Sequence, residues 1–167
     1  MLRPGEKAIQ LTRSLSICLK LILCSKIATT LEGVKKMSTE NHHLKEAKKL
    51  YQKALEEFEK AEEKNDDIVL RDACGKGWLS TIEATYALLV KKGVKEEELP
   101  KGGDRGRRYM VHKYAERELK LYYSSLRDDL HIEGYYEGTL SFEEMERNLE
   151  DLNLYIKKIE EWEGVSQ

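Results

Sequence analysis

Apolar positions in this chain fall into long stripes at helical spacing. Leu44, Ala47, Leu50, Tyr51, Ala54, Leu55, Phe58 and Ala61 follow one another in steps of three and one, the signature of one face of a 3.6-residue repeat. The opposite face is almost wholly Lys and Glu, so the spacing predicts a helix over about 44–64, with Ser38 or Asn41 able to cap its start. Asn65-Asp66-Asp67 breaks the pattern and caps a second helix over about 68–92, ended by Gly93. Its apolar side holds Ile68, Val69, Cys74, Trp78, Ile82, Tyr86, Leu89 and Val90, beside a strip of small residues at Ala73, Gly77, Thr81 and Ala84. A glycine inside a helix costs on the order of 1 kcal/mol against alanine. Gly75 and Gly77 therefore predict the close approach of a neighbouring helix, with Trp78 filling the adjacent volume.

Residues 93–104 read as a loop, because Pro100 and Gly102-Gly103 prevent helix continuation. Asp104 caps a third predicted helix over about 105–130, with Tyr109, Met110, His112, Tyr114, Leu119, Tyr122, Tyr123, Leu126 and Leu130 on its inner side. Gly134 and Gly138 bracket a tyrosine-bearing turn, and Ser141-Phe142-Glu143-Glu144 is a capping box. The last helix runs to about Trp162 on a stripe of Phe142, Met145, Leu149, Leu152, Tyr155, Ile156 and Ile159. There is no strand pattern, no glycine-rich phosphate loop and no internal repeat. The expected fold is all-α, an antiparallel up-and-down helical bundle of four to five helices over residues 37–167. Tyrosines and tryptophans left over by the stripes are expected to serve a homodimer face.

Residues 1–36 do not fit this pattern. Their apolar run from Leu15 to Cys24 is broken by Lys20, too short to span a bilayer and too interrupted for a signal peptide. The leading expectation is an extension that is disordered or lies upstream of a start at Met37. A structural helix and a working signal or anchor are the alternatives. No membrane association is expected.

Charge sharpens the division. Seven Lys/Arg stand against two acids in residues 1–36, leaving the body with 22 bases against 29 acids. Phosphate neutralisation supplies most non-specific nucleic-acid affinity, so an acidic body excludes a general nucleic-acid binder and requires any such contact to be local. Three cysteines (Cys18, Cys24, Cys74) form no metal or redox spacing and read as free thiols of a cytoplasmic protein. His42 and His43 are adjacent, cannot both face one metal from a helix, and are expected to be solvated. No metal and no cofactor are expected. Abundant Lys and Glu with only Gln10, Gln52 and Gln167 fit a heat-adapted microbial source.

The candidate chemistry lies between Arg105 and Gly138, which holds two of the four histidines and six of the nine tyrosines. Arg107, Arg108 and His112 open it. Arg127 and His131 follow, then Tyr135 and Tyr136. In a helix Arg127 and His131, at i, i+4, share a face. Arg108 and His112 do the same, whereas Arg107 and His112 stand about 140° apart on the wheel and converge only through distortion or a partner chain.

Arg107-Arg108-Tyr109-Met110-Val111-His112-Lys113-Tyr114 contains Arg-x-x-x-x-His and resembles the motif of the HEPN family, small all-helical bundles. The resemblance implies that Arg107 holds a phosphate while His112 acts as general base on an RNA 2′-hydroxyl, without a metal. Arg127-Asp128-Asp129-Leu130-His131, followed by Gly134-Tyr135-Tyr136-Glu137-Gly138 and a capped helix, resembles the archaeal PaREP-type branch of that superfamily. The Ala73–Trp78–Ala84 region is similar to that branch as well, so the resemblance covers roughly residues 43–163. Only three residues separate Arg127 from His131, and Asp128 and Asp129 put negative charge beside them. The expectation is therefore a HEPN-like binding or accessory module, with nucleotide or RNA as ligand, Arg127, His131, Arg107 and His112 as candidate catalytic residues, and Arg108, Tyr135 and Tyr136 as candidate ligand contacts. A metal-independent ribonuclease of toxin type and a partner subunit for a nucleotidyltransferase are the alternatives.

Overall fold

The computed structural model describes residues 42–162, and the expectations for residues 1–36 and for the caps at Ser38 and Asn41 lie outside them. Helix α1 occupies residues 42–64. It is followed by α2 (Asp67–Lys91), a 3-10 turn (Glu96–Glu98), α3 (Asp104–Tyr114), α4 (Arg117–Leu126), a π-helical segment (Arg127–Glu137) and α5 (Phe142–Glu161). Among the described residues there is no strand, and no helix is long and apolar enough to cross a membrane.

Side-chain pairs fix the direction of each helix. Ser80 Oγ donates to the Ala47 carbonyl at 2.8 Å and His43 reaches Glu83 at 2.6 Å, so α1 and α2 are antiparallel. Cys74 meets Met145, and Thr85 meets the Tyr155 hydroxyl at 3.0 Å, so α2 and α5 run parallel. Lys158 pairs with Glu118 at 2.9 Å and Tyr122 packs on Tyr155, which sets α4 antiparallel to α5. The result is an up-and-down bundle of α1, α2, α4 with its π continuation, and α5, with α3 as a short lead-in. Leu88, Leu126, Leu130, Met145, Leu152 and Ile159 are fully buried at its centre.

The caps at Asp66 and Ser141 act as their sequences require, whereas Asp104 does not cap α3, whose N-cap is Gly103 without a side-chain bond. Asp66 Oδ1 accepts from the backbone N–H of Ile68 and Val69 at 2.9 and 3.2 Å. Ser141 and Glu144 exchange the reciprocal bonds of a capping box.

The third predicted helix is instead two helices and a π segment. Arg107, Val111, Ala115, Leu119 and Tyr123 are all buried, at a constant spacing of four. Each such step overshoots an α-helical turn by about 40°, so a straight helix would swing the stripe out of the core. The chain breaks at Ala115 and Glu116, both extended, and resets the phase. Lys92 pins the break by pairing with Glu116 while lying 3.7 Å over the Trp162 ring. Buried Leu126, Leu130 and Gly134 keep the same spacing. There the π segment, whose i→i+5 bonds turn the chain less per residue, holds them in line. The expected tyrosine turn is the end of that segment, terminated by Gly138 at φ 67 and ψ 35, a left-handed conformation that glycine adopts without steric cost.

His43 is also a correction. It is buried at 7% exposure, with Nδ1 on Glu83 at 2.6 Å and Nε2 on Glu96 at 3.3 Å. Its partners lie 40 and 53 residues away, so nothing local announced them. His42 is exposed, as expected.

Candidate functional site

Glycines let the π segment sit directly on α2. A Cβ at Gly134 would come within 2.6 Å of Cys74 Sγ, and one at Gly77 within 3.1 Å of Leu130. At Gly75 it would come within 2.9 Å of the Tyr135 ring. The predicted close approach is therefore present, and its partner is the π segment. Arg71 secures the segment's end, donating from Nε to the Tyr135 carbonyl and from Nη2 to the Tyr136 carbonyl at 2.6 Å. These are last-turn carbonyls, which lack helical partners and attract a cation.

Clamped in this way, the segment lays His131 on Trp78. The two rings are stacked, with centroids 4.7 Å apart, and Tyr136 meets the imidazole edge-on at 4.8 Å. Trp78 is buried and also touches Tyr123, with centroids 5.9 Å apart. Helix α3 brings Arg107 to the same indole, with its guanidinium carbon 5.7 Å from the ring centroid. Arg107 is only 9% exposed, and its Nε has no hydrogen-bond partner. His131 Nδ1 is likewise buried and unpartnered.

Asp104, the first residue of α3, ties the cluster together. Its Oδ2 accepts from Arg127 Nε at 2.7 Å and lies 3.2 Å from Arg108 Nε, while its Oδ1 lies 3.5 Å from the Tyr123 hydroxyl. Arg127 also pairs with Asp128. Burial would lower the Arg127 pKa, but these two carboxylates outweigh it and the net shift is upward. Burial pushes the Tyr123 hydroxyl up to about 12, with Asp104 adding to it. Burial lowers the His131 pKa below 6.5. Asp104 opposes that shift, while the Arg107 and Arg127 charges reinforce it. The site thus presents a neutral imidazole beside two guanidiniums, of which Arg107 is the less neutralised. Such a group accepts a proton, and such cations steady an anion.

The structure regroups the sequence candidates. Arg107 and His112 are not brought together, since Arg107 is buried and His112 is exposed on α3. Arg127 and His131 share one cluster, and Arg107 joins them from 24 positions upstream of His131. Arg108 is exposed and held on Asp104. Tyr135 lines a cleft against Gly75, and Tyr136 covers His131. Trp78 and Asp104 carry more of the site than the sequence indicated. The sequence pattern assigned Trp78 to the core and Asp104 to a helix cap, but the cap position is Gly103 and the Asp104 side chain makes no cap bond, bonding Arg127 instead. Among the described residues no three His, Cys, Asp or Glu side chains are placed to hold a metal ion.

Comparison with protein-family models and with curated proteins finds no match for this chain.

Proposed function

We propose that this chain is a HEPN-like helical module that binds RNA or a nucleotide through its phosphate at the Arg107–His131–Arg127 cluster. Arg107 carries the reading. A buried ion that lacks full pairing costs several kcal/mol, yet this guanidinium is 9% exposed with an unpartnered Nε. The guanidinium bonds the Tyr123 side chain but pairs with no carboxylate among the described residues, and an anionic ligand would supply that counter-charge. The surrounding rings of His131, Tyr135 and Tyr136 suit bases or sugars. An acidic body that limits non-specific contact is consistent with so local a site.

The test is anisotropy of a labelled, 5′-phosphorylated oligoribonucleotide. Binding is expected to be saturable, to weaken with salt as single-strand binding does, and to fall at least about tenfold in Arg107→Gln. Lys49→Gln, on the exposed face of α1, is expected to bind like the parent. Undiminished binding by Arg107→Gln would sink the proposal.

One observation favours a second reading, metal-independent RNA cleavage. Burial holds the His131 pKa below its ordinary value, which suits an imidazole to accept a proton near neutral pH. In that reaction the imidazole takes the 2′-hydroxyl proton as O2′ attacks phosphorus. The 5′-oxygen then leaves, giving a 2′,3′-cyclic phosphate. Cleavage in EDTA that is lost in His131→Ala and kept in His112→Ala supports it. Binding without cleavage leaves the first reading alone.

A further inference from the structure

A cleft of about 380 Å³ opens beside the phosphate cluster, and His131 lines both. Its inner surface is Trp78 and the bare backbone of Gly75, with the Tyr135 ring as one wall. Because a Cβ at position 75 would meet that ring at 2.9 Å, the glycine is what lets the wall stand where it does. Leu79 is 49% exposed and Tyr135 42% exposed, so apolar side chains stand open at this concavity.

Two polar side chains line the same cleft. Asp72 and Lys76 are one turn apart on α2 and therefore neighbours on its surface. The Asp72 carboxylate makes no hydrogen bond or ion pair among the described residues, and Lys76 has only a long pairing to Glu57 at 3.9 Å. An apolar slot with a few convergent polar groups is the usual form of a small-ligand site.

We propose that this cleft receives the base of the nucleotide whose phosphate sits at Arg107 and His131, and that Asp72 and Lys76 select guanine. The proposal rests on the phosphate reading above. Guanine presents two adjacent donors, N1–H and the N2 amino group, followed by the O6 acceptor. A carboxylate takes the two donors together, and an ammonium one turn away donates to O6. Adenine offers one donor group and sets its N1 lone pair against the carboxylate. Pyrimidines carry less ring surface to stack between Tyr135 and His131.

Calorimetric titration of the full chain with GMP, AMP, CMP and ribose 5-phosphate tests this. GMP is expected to bind at least about tenfold more tightly than AMP, as one good bidentate base contact provides, and more tightly than CMP and ribose 5-phosphate. Asp72→Asn, at an exposed position, is expected to bring GMP within about twofold of AMP while ribose 5-phosphate is unchanged. Equal binding of GMP and AMP overturns the guanine assignment. Ribose 5-phosphate binding as tightly as GMP overturns the base cleft and leaves the phosphate site standing. Failure of every compound, ribose 5-phosphate included, overturns both.

Discussion

The imidazole of His131 lies on the indole of Trp78, with ring centroids 4.7 Å apart and planes 19° from parallel. This contact joins the core to the candidate site, because Trp78 is 4% exposed and its other neighbours include Tyr123 and Arg107. Trp78→Ala is expected to destabilise the fold by about 3–5 kcal/mol, and Trp78→Phe, which keeps an aromatic face, by less. Urea unfolding of the two variants checks this ordering.

His131 titrates below the ordinary value of 6.5, so the fold favours its neutral form. The corresponding stability is fully present above the unfolded pKa and is lost as pH falls through the folded pKa. His131→Phe is expected to flatten the decline in unfolding free energy between neutral pH and about pH 5, relative to the parent protein. An unchanged slope would show that His131 is not held neutral.

His43 behaves in the opposite sense. Burial would lower its pKa, but the hydrogen bond and charge of Glu83, reinforced by Glu96, raise it above 6.5. Its stabilising charge is therefore fully present below the unfolded pKa and is lost as pH rises through the higher folded value. Glu83→Gln is expected to cost about 1–3 kcal/mol in mildly acidic solution, the scale of a charge-assisted hydrogen bond. The difference from the parent should shrink as pH rises above that folded value. Denaturant melts of both proteins across this range give the comparison.

Gly134 faces Cys74 so closely that a methyl group would lie 2.6 Å from Sγ and 2.8 Å from Cβ. Gly134→Ala is expected to destabilise by about 1–3 kcal/mol through overpacking. Adding Cys74→Ala should recover only part of that, because the Cβ clash remains. A double-mutant cycle measures the coupling, and additive losses would contradict the packing described.

What could be read in the sequence was whatever depends on neighbours along the chain. The stripe from Leu44 to Ala61, the Asp66 cap and the Ser141–Glu144 box are local, and each stands where its spacing put it. The break at Ala115 was not legible, because the sequence put Tyr109 and His112 on the inner face, whereas both are exposed and the buried positions are Arg107, Val111 and Ala115. The π segment was not legible either. Gly134 and Gly138 both suggested a turn, but Gly134 is there for Cys74 across the helix interface. That Arg107 and His131 both lie against Trp78 depends on both features, so it could not be read from neighbours along the chain.

The most direct measurement is an NMR titration of the His131 imidazole, with and without a saturating 5′-phosphorylated oligoribonucleotide. A phosphate held against Arg107 and His131 stabilises the imidazolium. The His131 pKa is therefore expected to rise on binding, and Arg107→Gln should abolish the rise. A His131 pKa that does not move in the bound protein would contradict the placement of the phosphate at this cluster.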